Sequence, residues 1–192
     1  MLKDLIYLSS FYLNLNNVTD YLTALDGEEE LIDEDRPVEL ESLITLSNLV
    51  IRNVARKFAP LYFEEVLTSN ENCEISFDNF SKSVNEVKMV TLNDGLSVTF
   101  RVFPEFIKVG LPNTSYKVSY SYIPEEVREL DATLPLPTNI TEDDLCFGVC
   151  AEYATMEMLY DEASVFESKF KESLIRSLIG KKEKQIKSRG WL

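Results

Sequence analysis

The chain has 192 residues, of which 45% are hydrophobic and 11% aromatic, so it is long enough to bury a sizeable core. It contains no histidine, which excludes serine–histidine and cysteine–histidine catalytic pairs and every imidazole metal ligand. Its formal net charge of -14 argues against sequence-independent binding to nucleic acid, because such binding needs a basic surface.

The charge is divided between two segments of opposite sign. Residues 26–41 hold nine acids and a single base, Arg36, so this segment must be solvated. Residues 169–189 hold eight bases and two acids. Such segments are often solvated loops and helix ends, but interaction tails have the same pattern. The sequence leaves both interpretations open.

Three cysteines without a CxxC pair indicate free thiols rather than a disulfide framework. Cys146 and Cys150 stand four residues apart in an apolar run, as on one face of a helix, so we expect both to be buried. The N-terminus lacks the features of a secretory signal, and no apolar stretch reaches the roughly 18 to 20 residues that a membrane helix needs. We therefore expect a protein that is made in a reducing cytoplasm and does not span a membrane.

Residues 1–36 form an N-terminal segment that ends in the acidic loop. Apolar residues between positions 18 and 25 have the spacing of a short helix, capped near Asn17 or Thr19. The rest of this segment is rich in Leu, Tyr and Asn without a clean period, and it predicts no further element.

A longer helix is predicted over residues 37–59. Pro37 suits a first helical turn, and Pro60 prevents the helix from continuing. Arg52 and Arg56 stand four residues apart on its polar side, where they face solvent or pair with carboxylates of a neighbour. The apolar residues that define its buried face recur at spacings of three and four: Leu40, Leu43, Ile44, Val50, Ile51, Val54 and Phe58.

Residues 61–123 change to a period of two, which predicts an antiparallel sheet. Gly95, at the end of an Asn-Asp-Gly sequence between two runs, can supply the positive φ that a tight hairpin turn needs. We expect the tyrosines of the last run to lie in the core rather than to form a platform for nucleic-acid bases. The in-phase residues are Cys73, Ile75 and Phe77; Lys88, Val90 and Leu92; Val98, Phe100 and Val102; and Tyr116, Val118, Tyr120 and Tyr122.

Residues 141–180 predict two helices in an antiparallel hairpin, after a connection rich in proline. Thr141 and the three acids after it suit a helix start, the chain turns near Leu159, and Gly180 suits a helix end. The predicted fold class is therefore α+β: a helical bundle, made of the N-terminal helix and the C-terminal hairpin, with an inserted antiparallel sheet. We expect one domain over residues 37–180, with a shared helical core of Val54, Phe58, Val149, Tyr153, Phe166 and Phe170.

One pattern is worth weighing as catalytic: Asp78 followed by Glu86 and Lys88. An acid upstream of a Glu-x-Lys on a strand can hold a divalent cation for phosphodiester hydrolysis. Glu-x-Lys is common by chance in a chain that is 27% charged, so the sequence favours a solvated strand face. We expect no catalytic activity, no cofactor and no metal site.

Several phrases of the sequence resemble a known family. The phrases are YKVSYSYIP (116–124), LPLP (134–137), LCFGVCAEYA (145–154), YDEASVFESKFKESL (160–174) and the terminal RGWL. Together with the order of elements over residues 40–192, they are similar to bacteriophage head-to-tail adaptor proteins, of the kind of the tail tubular protein A of short-tailed phages. The first 39 residues have no counterpart there.

The resemblance implies a structural virion protein of the neck and tail, made in the bacterial host cytoplasm and used during genome ejection. It implies a homo-oligomeric ring, expected to have twelve copies, that sits under the portal protein and docks the downstream tail or nozzle protein. Double-stranded DNA would pass through the ring without specific binding, and an acidic lumen suits that passage. The candidates for inter-subunit contacts are Arg52, Arg56, Glu28, Glu29 and Glu30.

Residues 181–192 are predicted to be an assembly tail that binds a partner. The segment has five bases and one acid, with little apolar content before its last two residues. An acidic surface of portal is the first expected receiver, and the acidic loop of the adjacent subunit is the second. The candidate partner-binding residues are Lys181, Lys182, Lys184, Lys187, Arg189 and Trp191.

A second function remains open at this stage, that of an acidic protein that mimics DNA and inhibits a nucleic-acid enzyme. Such a protein would be a monomer or dimer with carboxylates spread over one face. The concentration of acids in residues 26–41 and the basic tail favour assembly instead.

Overall fold

The computed structural model describes residues 1–26 and 36–179. Glu28, Glu29 and Glu30, and the whole of the predicted tail, lie outside the described residues. Over the described ranges the protein has five α-helices and two antiparallel sheets, which confirms the predicted α+β class. No helix in these ranges is long and apolar enough to cross a membrane.

Contacts divide the chain into two compact units, and each draws on two separate segments. The sheet unit consists of Met1–Leu2 and Ile44–Pro137. Among the described residues, the helical unit consists of 3–26, 36–43 and 138–179. One boundary falls between positions 43 and 44, inside the helix predicted over residues 37–59, so the residues that we predicted to form one domain over 37–180 contribute to both units.

The helical unit is built mainly from helices at the two ends of the described chain. Its second helix and the hairpin match the predicted elements, whereas the first was not predicted. The helices of the protein are α1 (Leu2–Tyr12), α2 (Asn16–Asp26), α3 (Val38–Lys57), of which only the first turns belong to this unit, α4 (Glu142–Met156) and α5 (Tyr160–Ile179).

Helix α1 escaped prediction because two serines occupy its buried face. Leu5, Ile6, Ser9 and Ser10 are all buried at helical spacing. The Ser9 hydroxyl donates to the Leu5 carbonyl at 2.8 Å, and the Ser10 hydroxyl donates to the Tyr7 carbonyl at 2.9 Å. The helix backbone therefore satisfies both hydroxyls, and small polar residues take the place of the apolar ones that the pattern required.

Helix α3 follows its prediction closely, since the six positions from Leu40 to Val54 that were predicted for its buried face are all buried. Phe58 is the exception, with 39% of its surface exposed. It lies beyond Lys57, the last residue of the helix, so the helical spacing no longer sets its direction. Of the six residues predicted for a shared helical core, Val54 and Phe58 belong to the sheet unit. The four others belong to the helical unit: Val149 and Tyr153 are buried, and Phe166 and Phe170 are half-buried.

The sheet unit contains six strands in addition to most of α3. Both three-stranded sheets are antiparallel, and side chains from the two of them form one buried core that includes Ile75, Val90, Ile107, Tyr116 and Tyr120. The predicted core position of these tyrosines is confirmed. The first sheet has the order β1 (Leu61–Thr68), β6 (Ser115–Tyr122), β3 (Val84–Leu92), and the second has the order β2 (Glu74–Ser76), β5 (Phe106–Lys108), β4 (Arg101–Val102).

The predicted hairpin turn after β3 is confirmed. Gly95 has a φ of 86°, and the Leu92 N–H donates to the Leu96 carbonyl at 2.9 Å to close the turn. The predicted phase of β3 is wrong at Lys88, which is exposed while Val90 is buried. A register shift between Val87 and Met89 is the reason, because a bulge moves the following residues to the other face.

Candidate functional site

Two of the predicted inter-subunit residues lie on α3. The Arg52 guanidinium is 3.4 Å from a carboxylate oxygen of Glu126, which lies in the same unit, and both side chains are well exposed. Arg56 is exposed in the last turn of the helix, without an ion-pair partner in the described part of the chain. The cation there complements the partial negative charge of the helix C-terminus. Arg56 is therefore the freer of the two for a contact with a neighbour.

Two of the three residues weighed as catalytic lie at an open groove of about 810 Å³ in the sheet unit, and Lys88 is not among its lining residues. Asp78 and Glu86 both border it. The Lys88 ammonium lies 2.6 Å from the Glu86 carboxylate, and this hydrogen bond raises the pKa of Lys88. Within the described ranges, no three carboxylates or thiols come close enough together to hold a metal ion. The arrangement observed is a surface ion pair beside a groove.

A tyrosine and a carboxylate are joined on the inner face of the first sheet. The Tyr120 hydroxyl donates to Glu65 at 2.5 Å, and the Ser81 hydroxyl donates to the other oxygen of the carboxylate at 2.8 Å. Burial raises the pKa of Tyr120 to about 12, with a further contribution from Glu65. Burial alone would raise the pKa of Glu65, but the hydrogen bonds from Tyr120 and Ser81 outweigh it and lower that pKa. This pair ties β1 to β6.

The opposite face of the same sheet carries exposed apolar side chains. We call Tyr62, Glu64, Val66, Met89 and Lys117 the sheet face. All five are exposed, and Val66 retains 61% of its accessible surface. The Lys117 ammonium and the Glu64 carboxylate lie 2.5 Å apart between the apolar residues. Aromatic residues and methionine, present here as Tyr62 and Met89, are enriched in protein–protein interfaces.

A second exposed apolar surface lies in the helical unit, at the turn between α4 and α5. We call Met156–Tyr160 the hairpin tip. Its four apolar residues are all exposed, with 74% of Met158 and 66% of Tyr160 accessible. Four large apolar side chains within five residues are unusual on a protein surface that contacts only water.

The backbone of the hairpin tip is strained at one residue. Met158 has a φ of 61°, in the left-handed region that favours glycine. The Leu159 N–H donates to the Ala154 carbonyl at 2.8 Å, and the Met158 N–H donates to the Thr155 carbonyl at 3.1 Å. These two bonds define a Schellman motif, in which glycine usually occupies the position held here by Met158. A large apolar side chain thus occupies a position at which the backbone conformation favours glycine.

A shallow pocket of about 310 Å³ adjoins the hairpin tip. Val165 and Phe166 supply its apolar part, while two acids, Asp161 and Glu162, and one base, Lys169, complete its lining. The Lys169 ammonium lies 5.4 Å from the ring centroid of Phe147 and 5.7 Å from that of Phe166. No other base occurs in the sequence between Arg128 and this lysine, so the tip is an apolar surface in an acidic setting.

Hydrogen bonds hold the other end of the hairpin. Asp144 is 6% exposed, and its carboxylate accepts hydrogen bonds from Ser173 at 2.5 Å and from Ser177 at 2.8 Å, both on α5. It also accepts the Thr141 N–H at 2.9 Å, which caps α4. Burial alone would raise the pKa of Asp144, but these hydrogen bonds outweigh it and lower that pKa. The hairpin is therefore a well-anchored support for its tip.

Sequence reasoning did not identify the sheet face or the hairpin tip. The tip left a signal, because Met-Glu-Met-Leu-Tyr is unusually apolar for a turn between two helices. The sheet face left little signal, since the bulge in β3 decides which of its residues face outward. No protein-family model matches the chain, and no curated protein matches it at a significant level.

Proposed function

We infer that this protein is a structural subunit of a bacteriophage neck, a head-to-tail adaptor that assembles into a ring under the portal protein. Two surfaces that lie on different compact units support this function. The sheet face combines apolar side chains with paired charges, whereas the hairpin tip is apolar in an acidic setting. A ring subunit needs unlike surfaces of this kind, because each copy contacts its two neighbours through different faces.

The single observation that carries the proposal is the exposure of the hairpin tip. The phrases that resemble the adaptor family include the whole of α5 up to Leu174 and most of α4, so this tip joins the two segments with the resemblance. Exposed apolar surface on a soluble chain favours association, since its burial removes water from apolar groups. The proposed ring would have twelve copies, by analogy with the family.

The charged residues take the remaining roles in the proposal. Arg56 and, more weakly, Arg52 would meet acids of the adjacent subunit, with Glu28, Glu29 and Glu30 as the candidates in the acidic loop. The basic tail would engage portal or a neighbouring copy. Double-stranded DNA would pass the ring without specific contacts, and the tail or nozzle protein would bind the ring from below.

The test is the mass of the purified protein, alone and with portal, by light scattering and sedimentation. We expect a multiple of the 22.0 kDa chain, or sedimentation together with portal. Val66→Glu places a charge in the sheet face and should weaken assembly, whereas Val38→Glu, at a still more exposed valine outside both surfaces, should not. A wild-type chain that stays monomeric or dimeric with portal present would reject the adaptor and favour the DNA-mimicking inhibitor.

A further inference from the structure

The hairpin tip lacks an occupant within the described part of the chain, although it is built as if to receive one. Its apolar residues are exposed and Met158 keeps a strained backbone. Strain of this kind persists where the side chain serves a purpose other than folding. The neighbouring acids Glu157, Asp161 and Glu162 are also exposed, so a matching surface should be apolar and basic.

The predicted tail is a segment with that chemistry. Residues 181–192 hold five bases and one acid and end in Trp191 and Leu192. Arg189 stands two residues before the tryptophan. A base close to an aromatic side chain matches an apolar pocket that has acids at its border. Methionine thioethers make favourable contacts with aromatic rings, and Met156 and Met158 offer two of them.

We propose that the hairpin tip and its adjoining pocket are the receptor for residues 181–192 of a second copy of this chain. The proposal rests on the ring function above and names the contact that would link one subunit to the next. Trp191 would lie against Met158 and Tyr160 and reach the pocket beside Phe166. The basic residues before it would face Asp161 and Glu162. The contact is head-to-tail, because each copy gives its tail to one neighbour and receives the tail of the other.

The length of the tail favours a second copy over the same chain. Helix α5 has 20 residues and so spans about 30 Å, and the tail leaves its end farthest from the tip. Trp191 is twelve residues beyond Ile179, which gives a reach of at most about 40 Å when fully extended. A chain could fill its own site only by turning back at the end of α5 and holding the tail extended, at about three-quarters of its reach, along the helix. A neighbour has no such constraint.

Trp191 is the single tryptophan of the chain, so its fluorescence reports on the contact directly. In the full-length protein, we expect its emission to shift to shorter wavelength as concentration rises, in step with the mass from light scattering. Salt should weaken both changes, since Glu157, Asp161 and Glu162 are exposed and salt screens exposed charges. A shift that does not depend on concentration would overturn the proposal in favour of docking within one chain. A shift that appears only when portal is added would overturn it in favour of portal.

Two variants isolate the two halves of the contact. Met158→Gly removes the side chain and relieves the backbone, so it should fold at least as stably as the wild type while assembling at least tenfold more weakly. Trp191→Ala should weaken assembly by a similar factor. Ile175→Ala, at an exposed apolar residue of α5 outside the tip, and Ser188→Ala, in the tail, are the matched controls and should assemble normally.

Mixing the variants tests the head-to-tail geometry. The Met158→Gly chain has an intact tail and the Trp191→Ala chain has an intact tip, so each mixed pair can form one good contact and no more. We expect particles of two chains, near twice 22.0 kDa, and no larger ring. A mixture that assembles no better than either variant alone would overturn the contact. If both variants form wild-type rings the contact is rejected while the adaptor function stands, whereas a wild type that never assembles rejects the function itself.

Discussion

The Tyr120 hydroxyl and the Glu65 carboxylate meet across neighbouring strands at 2.5 Å, inside a sheet whose other residues on that face are largely apolar. A hydrogen bond to a charged group in such a setting contributes about 1.5 to 3 kcal/mol to stability. We expect Tyr120→Phe to lower the free energy of unfolding by about 2 kcal/mol in urea at neutral pH. Tyr62→Phe, on the opposite and exposed face, is the control and should change it little.

The same tyrosine should limit stability at high pH. Its pKa is raised from 10.0 to about 12, so the folded state holds the proton that the unfolded state has lost. The contribution is complete below pH 10 and disappears as the pH rises towards 12. Unfolding midpoints between those values should therefore fall less steeply in Tyr120→Phe than in the wild type. Parallel curves would show that this phenol does not control the alkaline limb.

Protonation of Asp144 should account for most of the stability that the helical unit loses at low pH. Its pKa lies below the ordinary 3.8, so its contribution is present above that value and is lost as the pH falls through the lowered one. Asp144→Asn should cost about 2 kcal/mol at pH 7, and the difference from the wild type should vanish in strong acid, where the wild-type carboxyl is also neutral. Asp143→Asn, at the exposed neighbour, should not show this pattern.

Two adjacent residues of α3 should respond to substitution in opposite directions. The buried Ser47 hydroxyl has no hydrogen-bond partner among the described residues, so Ser47→Ala should leave stability unchanged or raise it by about 1 kcal/mol. Asn48 donates to the carbonyls of Ile44 and Val127 and accepts the Val127 N–H at 2.7 Å. Asn48→Ala should therefore cost about 3 kcal/mol, measured by urea unfolding. Equal losses at both positions would contradict the assignment.

The three thiols should differ in reactivity. Burial raises the pKa of both Cys146 and Cys150 to about 12, and a thiol must ionise to react. Cys73 is only half-buried. An excess of a thiol reagent at pH 8 should therefore modify about one cysteine per folded chain, and all three after unfolding. Rapid modification of all three in the folded protein would show that α4 is less well buried than described.

Prediction from the sequence succeeded where one local cause decides the structure. Pro37 and Pro60 bracket α3, and the glycine at position 95 fixes a hairpin turn through its positive φ. Prediction failed where a distant partner or a small irregularity decides it. Serine hydroxyls bonded to the helix backbone hide the buried face of α1, and a bulge at Val87 reverses the face of Lys88.

For the candidate surfaces, too, prediction succeeded only where a local cause decides the structure. Arg52 and Arg56 could be chosen because a spacing of four places them on one side of a helix. The exposure of the hairpin tip could not be predicted, because a turn rich in Met, Leu and Tyr is equally consistent with burial. Only the arrangement of the other helices determines which of the two occurs.

The division of each unit between distant segments bears on how the chain folds as it is synthesised. All of the sheet unit, including Met1–Leu2, has been synthesised once Pro137 has left the ribosome, whereas α1 and α2 must wait for α4. The Cys150 thiol of α4 donates to the Ser9 carbonyl of α1 at 3.6 Å. The two residues are 141 positions apart in the sequence, so α1 is synthesised long before its partner. The helical unit, and with it the hairpin tip, therefore forms last. A nascent chain therefore cannot present this exposed apolar surface before α4 and the turn after it have been synthesised.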